Sequence, residues 1–194
     1  MEPDLLDTLL GLAAGLGLAA ACGFRVFVPL LIAGVAARLG WIAPDLDWVA
    51  TTPALVGLGA ATALEIGGYY IPWIDNLLDA VASPAATLAG VLMVATFVVG
   101  VDPFIRWTLA IVAGGGAALT VQAATVVTRA ASTGTTGGLA NPLVATVENA
   151  LAVLLAALAV LLPFLVALAF ALTVALAVWQ LRRRRALRAL SAHD

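Results

Sequence analysis

Residues 142–181 read PLVATVENALAVLLAALAVLLPFLVALAFALTVALAVWQL, and Glu148 is the one charged residue among them. A membrane-spanning helix needs about 20 apolar residues, so this block is long enough for two spans separated by Pro163. Arg182, Arg183, Arg184 and Arg185 follow the block directly. A basic cluster directly after an apolar run is typical of a cytoplasmic membrane boundary, so we expect a cytoplasmic C-terminus.

The composition of the whole chain agrees with this block. Of the 194 residues, 63% are hydrophobic and 10% are charged, and the mean hydropathy is +1.11. Soluble domains are about 25% charged, so these values exclude a soluble enzyme, and such apolar content also excludes disorder. The sequence predicts an all-α, polytopic integral membrane helical bundle in one domain, 1–181, with a basic cytoplasmic tail, 182–194.

The charges are distributed unevenly between these two parts. Residues 1–181 contain four Arg and ten acids, whereas residues 182–194 contain five Arg and one acid. An Arg run beside a membrane span is normally a topology anchor or a contact to anionic lipid. We therefore expect the lipid bilayer as a partner and no nucleic acid.

Proline and glycine divide the rest of the chain. The block 5–39 is too long for one upright span, so it forms one kinked helix or two short ones, 5–22 and 26–39. A polar or hydroxyl residue followed by Pro predicts a helix start at four places: Thr52-Pro53, Ser83-Pro84, Asp102-Pro103 and Asn141-Pro142.

These starts predict five to seven embedded helices, some broken or re-entrant. The helix from Thr52 is expected to continue to about residue 71, followed by a short amphipathic piece, 73–82, and then an apolar helix to residue 100. The helix from Asp102 is expected to end near residue 129, before a Gly/Thr loop at 131–140. Gly11 and Gly15 have the spacing of helix-packing glycines, which also makes a homodimer plausible.

Six ionisable residues lie inside apolar sequence: Arg25, Glu65, Asp75, Asp79, Arg129 and Glu148. Each costs roughly 2.5–3.5 kcal/mol at the centre of a span, so each needs a partner, water or a function. Glu65 is expected near mid-bilayer, either as a functional carboxylate or in an ion pair with Arg25 or Arg129.

Two acid–amide groups accompany these charges. Asp75, Asn76 and Asp79 share one side of a helix, and Glu148 is followed by Asn149. Such oxygens are the ligands of hard cations, although a polar face that contacts water explains Asp75–Asp79 equally well. Which metal would bind is left open.

The acids follow two similar strings with Gly-Gly-x-x-x-Pro spacing. The first contains Gly67, Gly68 and Pro72, and the second contains Gly137, Gly138 and Pro142. Broken helices at corresponding positions of two halves are typical of a transporter's central site, although chance matches occur in a chain with 18 Gly.

Enzyme chemistry has little support in the sequence. Cys22 is the one cysteine and His193 the one histidine, so there is no Cys/His cluster and no embedded nucleophile–histidine pair. We expect no cofactor and no catalytic residues.

The strings AACGFRVFVP (20–29), LEIGGYYIPWIDN (64–76) and TTGGLANP (135–142) resemble the bacterial membrane family known as domain of unknown function 4126. The resemblance covers about residues 12–165 and implies a polytopic protein of the bacterial inner membrane. It implies no activity.

Three functional hypotheses follow. The first is a transporter or channel for a cation or a proton-coupled solute, with a pathway lined by Glu65, Asp75, Asn76, Asp79, Glu148 and Asn149. Arg25 and Arg129 would be its counter-charges. The second is a lipid flippase or scramblase in which Arg25 and Arg129 bind lipid phosphate. The third is a membrane scaffold in which the charges form interhelical ion pairs.

Overall fold

The structure is a computed structural model that describes residues 5–42, 47–166, 168, 169, 172, 179, 180, 182 and 183. The side chains of Asp47, Pro72, Trp73 and Asn76 lie outside this description. The described residues form helices and no strands, which confirms the predicted all-α class. The predicted tail, 182–194, lies almost entirely outside the described residues, so the domain boundary at 181 stays a prediction.

Seven α-helices are present in the described chain: α1 Leu5–Cys22, α2 Phe27–Arg38, α3 Thr52–Gly68, α4 Pro72–Phe97, α5 Pro103–Leu109, α6 Gly116–Thr136 and α7 Asn141–Leu161. A 3₁₀ turn, Asp47–Ala50, precedes α3, and a π-helical segment, Ala110–Gly115, joins α5 to α6. Four continuous helices are long and apolar enough to cross a membrane: Leu5–Cys22, Leu77–Phe97, Pro103–Thr136 and Asn141–Leu161. The chain is therefore a membrane-helical protein.

The first apolar block forms two helices rather than one kinked helix. The break at Gly23–Arg25 lies where α1 packs closely on α6. A Cβ at Gly23 would lie 2.5 Å from the carbonyl oxygen of Ala118. Only glycine allows α1 to end this close to the α6 backbone.

Three of the predicted helix starts are correct, because helices begin at Thr52, directly after Asp102 and at Asn141, and the fourth is wrong. Asp102 caps α5 by accepting the backbone N–H of Phe104 at 2.8 Å, and α7 begins at Asn141. The cap of α3 is Thr51 rather than Thr52, because the Thr51 hydroxyl accepts the N–H of Ala54. Ser83-Pro84 does not start a helix: Pro84 lies inside α4.

The predicted boundaries of α3, α4 and α6 also need correction. Helix α3 ends at Gly68, and α4 runs without interruption from Pro72 to Phe97, so it joins the segments predicted separately as 73–82 and 83–100 and ends three residues early. Helix α6 continues to Thr136, through most of the predicted loop at 131–140. The polar residues there stay helical because Thr135 and Thr136 hydroxyls bond to carbonyls of the preceding turn.

Glycines allow the helices to approach closely, as the sequence predicts. A Cβ at Gly15 would lie 3.0 Å from Cα of Val94, so the face with Gly11 and Gly15 packs on α4. The carbonyl oxygen of Gly90 would lie 2.5 Å from a Cβ at Gly114, where the π-helical segment crosses α4. These contacts hold α1, α4 and α6 together at backbone distance.

Candidate functional site

The buried charges meet where several helices begin or end. We use the name charge cluster for Arg25, Glu65, Asp75, Asp79, Arg129 and Glu148. These residues belong to the break after α1, the last turn of α3, the first two turns of α4, the later part of α6 and the first two turns of α7. Helix α1 ends beside the charge cluster, and α4 and α7 begin there, so the cluster lies toward one end of the bundle.

Arg25 connects the α1–α2 break to α7. Its Nη1 lies 3.0 Å from Oε2 of Glu148, and its Nε donates to Oδ1 of Asn149 at 2.5 Å. Its other Nη atom donates to the carbonyl oxygen of Ala145 at 3.3 Å. The side chain is 1% exposed, so desolvation strengthens each of these contacts.

Arg129 connects α6 to both α4 and α7. Its guanidinium bonds to Asp75 and to both oxygens of Glu148, with Nε at 3.3 Å and 3.2 Å from Oε1 and Oε2. Asp79 is a weaker partner, because its Oδ1 lies 3.9 Å from Nε of Arg129. Glu148 therefore forms ion pairs with both arginines, and Asp75 forms an ion pair with Arg129.

Tyr69 lies between the two arginines. The Arg25 guanidinium is 3.8 Å from the centroid of its ring, and that of Arg129 is 4.3 Å away. Both contacts are within the range of a cation–π interaction. Tyr69 was not among the residues predicted from the sequence; it lies directly after Gly67-Gly68, at the break between α3 and α4.

Glu65 binds backbone rather than an arginine side chain. Its Oε1 accepts the N–H of Val26 at 2.7 Å, and its Oε2 accepts the N–H of Phe27 at 3.0 Å. The carboxylate therefore holds the N-terminus of α2, where the helix dipole also favours a negative charge. Helix α3 ends three residues later, at Gly68, so Glu65 lies in its last turn, and its predicted depth in the bilayer stays a prediction.

The edge of the charge cluster carries further polar side chains. Nδ2 of Asn141 donates to Asp75 at 3.4 Å and to Thr133 at 3.2 Å, while its Oδ1 is buried without a hydrogen-bond partner. The Tyr70 hydroxyl contacts Thr146 at 2.9 Å and Asn149 at 3.5 Å. Asp75 and Asn149 were predicted as pathway residues, whereas Tyr70, Thr133 and Thr146 were not, and Asn141 was noted only as a helix start.

The predicted Gly/Pro breaks all lie at helix junctions. Gly67 and Gly68 end α3, and Pro72 begins α4. Gly137 and Gly138 have φ values of 64° and 88° and separate α6 from α7, whose first turn contains Pro142. The similarity of the two strings thus corresponds to two similar junctions, while a true internal repeat stays a prediction.

The site has no obvious metal centre. In the described part of the chain, no three His, Cys, Asp or Glu side chains are grouped so that they could hold a metal ion. The side chain of Asn76, a predicted pathway residue, lies outside the described residues. Cys22 is fully buried in the apolar core, where it packs as a small residue.

The fold and the charge cluster define a helical membrane protein with a buried ion-pair network. Residues 12–183 match the model of the family described as domain of unknown function (DUF4126), and the chain belongs to this family. This confirms the family suggested by the three sequence strings. No curated protein and no solved structure matches the chain.

Proposed function

We propose that the protein is a small membrane transporter or channel for a cation or a proton-coupled solute, and that the charge cluster is its site. The observation that carries the proposal is the charge imbalance of the cluster. Two guanidinium groups face four carboxylates, and five of the six residues are less than 9% exposed.

A surplus of buried negative charge has a chemical consequence. An isolated buried carboxylate is costly, and this cost falls when the group takes up a proton or a cation. The cluster lies among apolar helices, where the residues themselves supply only two positive charges. Reversible binding of a proton or a small cation is therefore the chemistry that this arrangement favours.

The backbone beside the cluster supports the same proposal. The chain leaves helical geometry between Cys22 and Phe27, and again between Gly68 and Pro72. Non-helical backbone at membrane depth is tolerated where it is buried in protein or lines a cavity that contains water. The first break contributes Arg25 to the cluster, and the second contributes Tyr69, whose ring contacts both arginines of the cluster.

In this proposal, Asp79 and Glu65 act at different steps of transport. The side chain of Asp79 is 25% exposed, compared with 5% for Asp75, so Asp79 is the entry point in this proposal. Glu65 holds the start of α2, so its protonation would remove a charge-assisted contact and release that helix end. Proton uptake would thereby be linked to movement of α2.

Proton flux into reconstituted vesicles tests the proposal directly. Vesicles contain a pH-sensitive dye, and a potassium diffusion potential drives proton entry. We expect the wild type to conduct and Glu65→Gln to lose at least tenfold in rate. Asp7→Asn, which changes an exposed acid outside the cluster, is the matched control. Unchanged flux in Glu65→Gln would contradict the proposed mechanism.

The scaffold hypothesis remains a second candidate because the ion pairs join different helices. Arg25 and Arg129 together link the α1–α2 break, α4, α6 and α7. A scaffold predicts that cluster variants lower stability while the wild type shows no flux. Lipid-phosphate binding has less support, because both arginines already bind carboxylates.

A further inference from the structure

An apolar cleft lies beside Glu65, between α3 and α4. Its volume is about 590 Å³, within the range of small-molecule sites. The walls come from the start of α2, the second half of α3, the turn 69–71 and the first half of α4. Helix α3 packs mainly on α2 rather than on α4, so the cleft opens between the two helices that the turn connects.

The chemistry of the cleft is simple. Among the described residues that line the cleft, Glu65 is the one charged side chain, and the others are apolar or glycine apart from Tyr69, whose ring already contacts Arg25 and Arg129. Phe27 lies on the wall with 36% of its surface exposed, and its ring offers an aromatic face to a ligand. An apolar pocket with one acid and an aromatic ring favours a cation with a large apolar surface.

The negative charges next to the cleft favour a cationic ligand over an anionic one. Each Glu65 oxygen accepts one backbone N–H, and a carboxylate oxygen has two lone pairs, so acceptor capacity remains on the carboxylate. The surplus of carboxylates in the charge cluster adds an attractive field for a cation and a repulsive one for an anion.

We propose that the cleft between α3 and α4 binds a lipophilic organic cation, with its charge beside Glu65 and its apolar groups along α4. This inference rests on the proposed function and narrows the solute to amphiphilic cations that enter from the bilayer. Since Glu65 also holds the N-terminus of α2, the ligand would contact the same carboxylate that proton uptake affects.

Equilibrium binding of radiolabelled tetraphenylphosphonium to the purified full chain in detergent tests the inference. We expect saturable binding, at least tenfold weaker in Glu65→Gln. Ala85→Leu narrows the cleft without removing charge and is expected to weaken binding to a similar extent. Ala80→Leu lies on the exposed side of the same helix and serves as the control. Size-exclusion chromatography confirms that each variant is folded.

Tetraphenylborate, an anion of the same shape, distinguishes a site from partition into detergent. The inference is refuted if tetraphenylborate competes equally or if binding is not saturable. It is also refuted if both cleft variants bind like the wild type, or if bound lipid occupies the cleft and the cation cannot displace it. Saturable binding without vesicle proton flux refutes the proposed transport function alone. Flux without cation binding refutes this inference alone.

Discussion

Oε2 of Glu148 lies 3.0 Å from Nη1 of Arg25, and the same carboxylate binds Arg129 from the neighbouring helix. One acid in the second turn of α7 therefore balances two buried cations. Removing one partner of a buried ion pair destabilises a protein more than replacing both partners by apolar residues, because the remaining charge stays buried without a partner.

Glu148→Gln tests this dependence. We expect it to lower the free energy of unfolding by about 3 kcal/mol, because Arg25 loses its carboxylate while Arg129 keeps Asp75. Thermal unfolding in detergent, followed by circular dichroism, measures the effect. Asp7→Asn is the control, and a loss in Glu148→Gln no larger than in this control would contradict the prediction.

The two acids of α4 should differ in their contribution to stability. Asp75 is buried against Arg129, whereas Asp79 is partly exposed and 3.9 Å from the same guanidinium. We expect Asp75→Asn to cost about 3 kcal/mol and Asp79→Asn less than about 1 kcal/mol. Chemical denaturation of both variants gives the comparison, and equal losses would show that Asp79 is as tightly paired as Asp75.

The variant Asp79→Asn also distinguishes the transporter hypothesis from the scaffold hypothesis. Its expected stability is close to that of the wild type, yet the proposed entry point for protons is removed. We therefore expect vesicle proton flux to fall at least fivefold in a protein that remains folded. Normal flux in this variant would mean that protons do not enter through Asp79.

Tyr69 should stabilise the cluster through its ring. Tyr69→Leu removes both cation–π contacts and is expected to cost about 2 kcal/mol more than Tyr69→Phe, which keeps the ring. Melting temperatures of the two variants provide the measurement. If the two substitutions are equivalent, the ring does not stabilise the cluster and the prediction is wrong.

The glycine crossing of α4 and the π-helical segment allows a matched pair of substitutions. A Cβ at Gly114 would lie 2.5 Å from a backbone oxygen, whereas one at Gly116 would meet nothing within 4 Å. We expect Gly114→Ala to destabilise by about 1–3 kcal/mol and Gly116→Ala to be neutral or stabilising. The relative order of their unfolding midpoints decides the prediction.

Much of the fold was predictable because its signals are local. The all-α class follows from apolar content, and the helix starts at Thr52, Asp102 and Asn141 follow from a polar residue that precedes Pro. Pro84 was misleading because a membrane helix tolerates proline in its interior, and neighbouring contacts keep α4 continuous. The Gly/Thr segment was misleading because its hydroxyls bond within α6, which a composition argument does not detect.

The charged residues of the site could be predicted from the sequence, but the contacts between them could not. Charged residues are rare in this chain, and each has a high free-energy cost in an apolar segment. Arg25, Arg129 and the four acids could therefore be identified from the sequence. The sequence could not indicate that Glu65 binds backbone N–H groups of α2, since that contact depends on how α2 and α3 pack. Tyr69 was missed for the same reason: an aromatic residue in apolar sequence has no distinguishing local pattern.

The position of the charge cluster determines how strongly voltage would act on it. The cluster lies about two turns, or about 10 Å, from the nearby end of α7. Helix α7 has 21 residues and is therefore about as long as the hydrocarbon core is thick, about 30 Å. If its two ends mark the membrane surfaces, a proton arriving from the nearby side would cross about a third of the membrane potential. One arriving from the other side would cross about two thirds, which is about 1.5 kcal/mol at 100 mV. Proton loading from the two surfaces would therefore differ in voltage dependence.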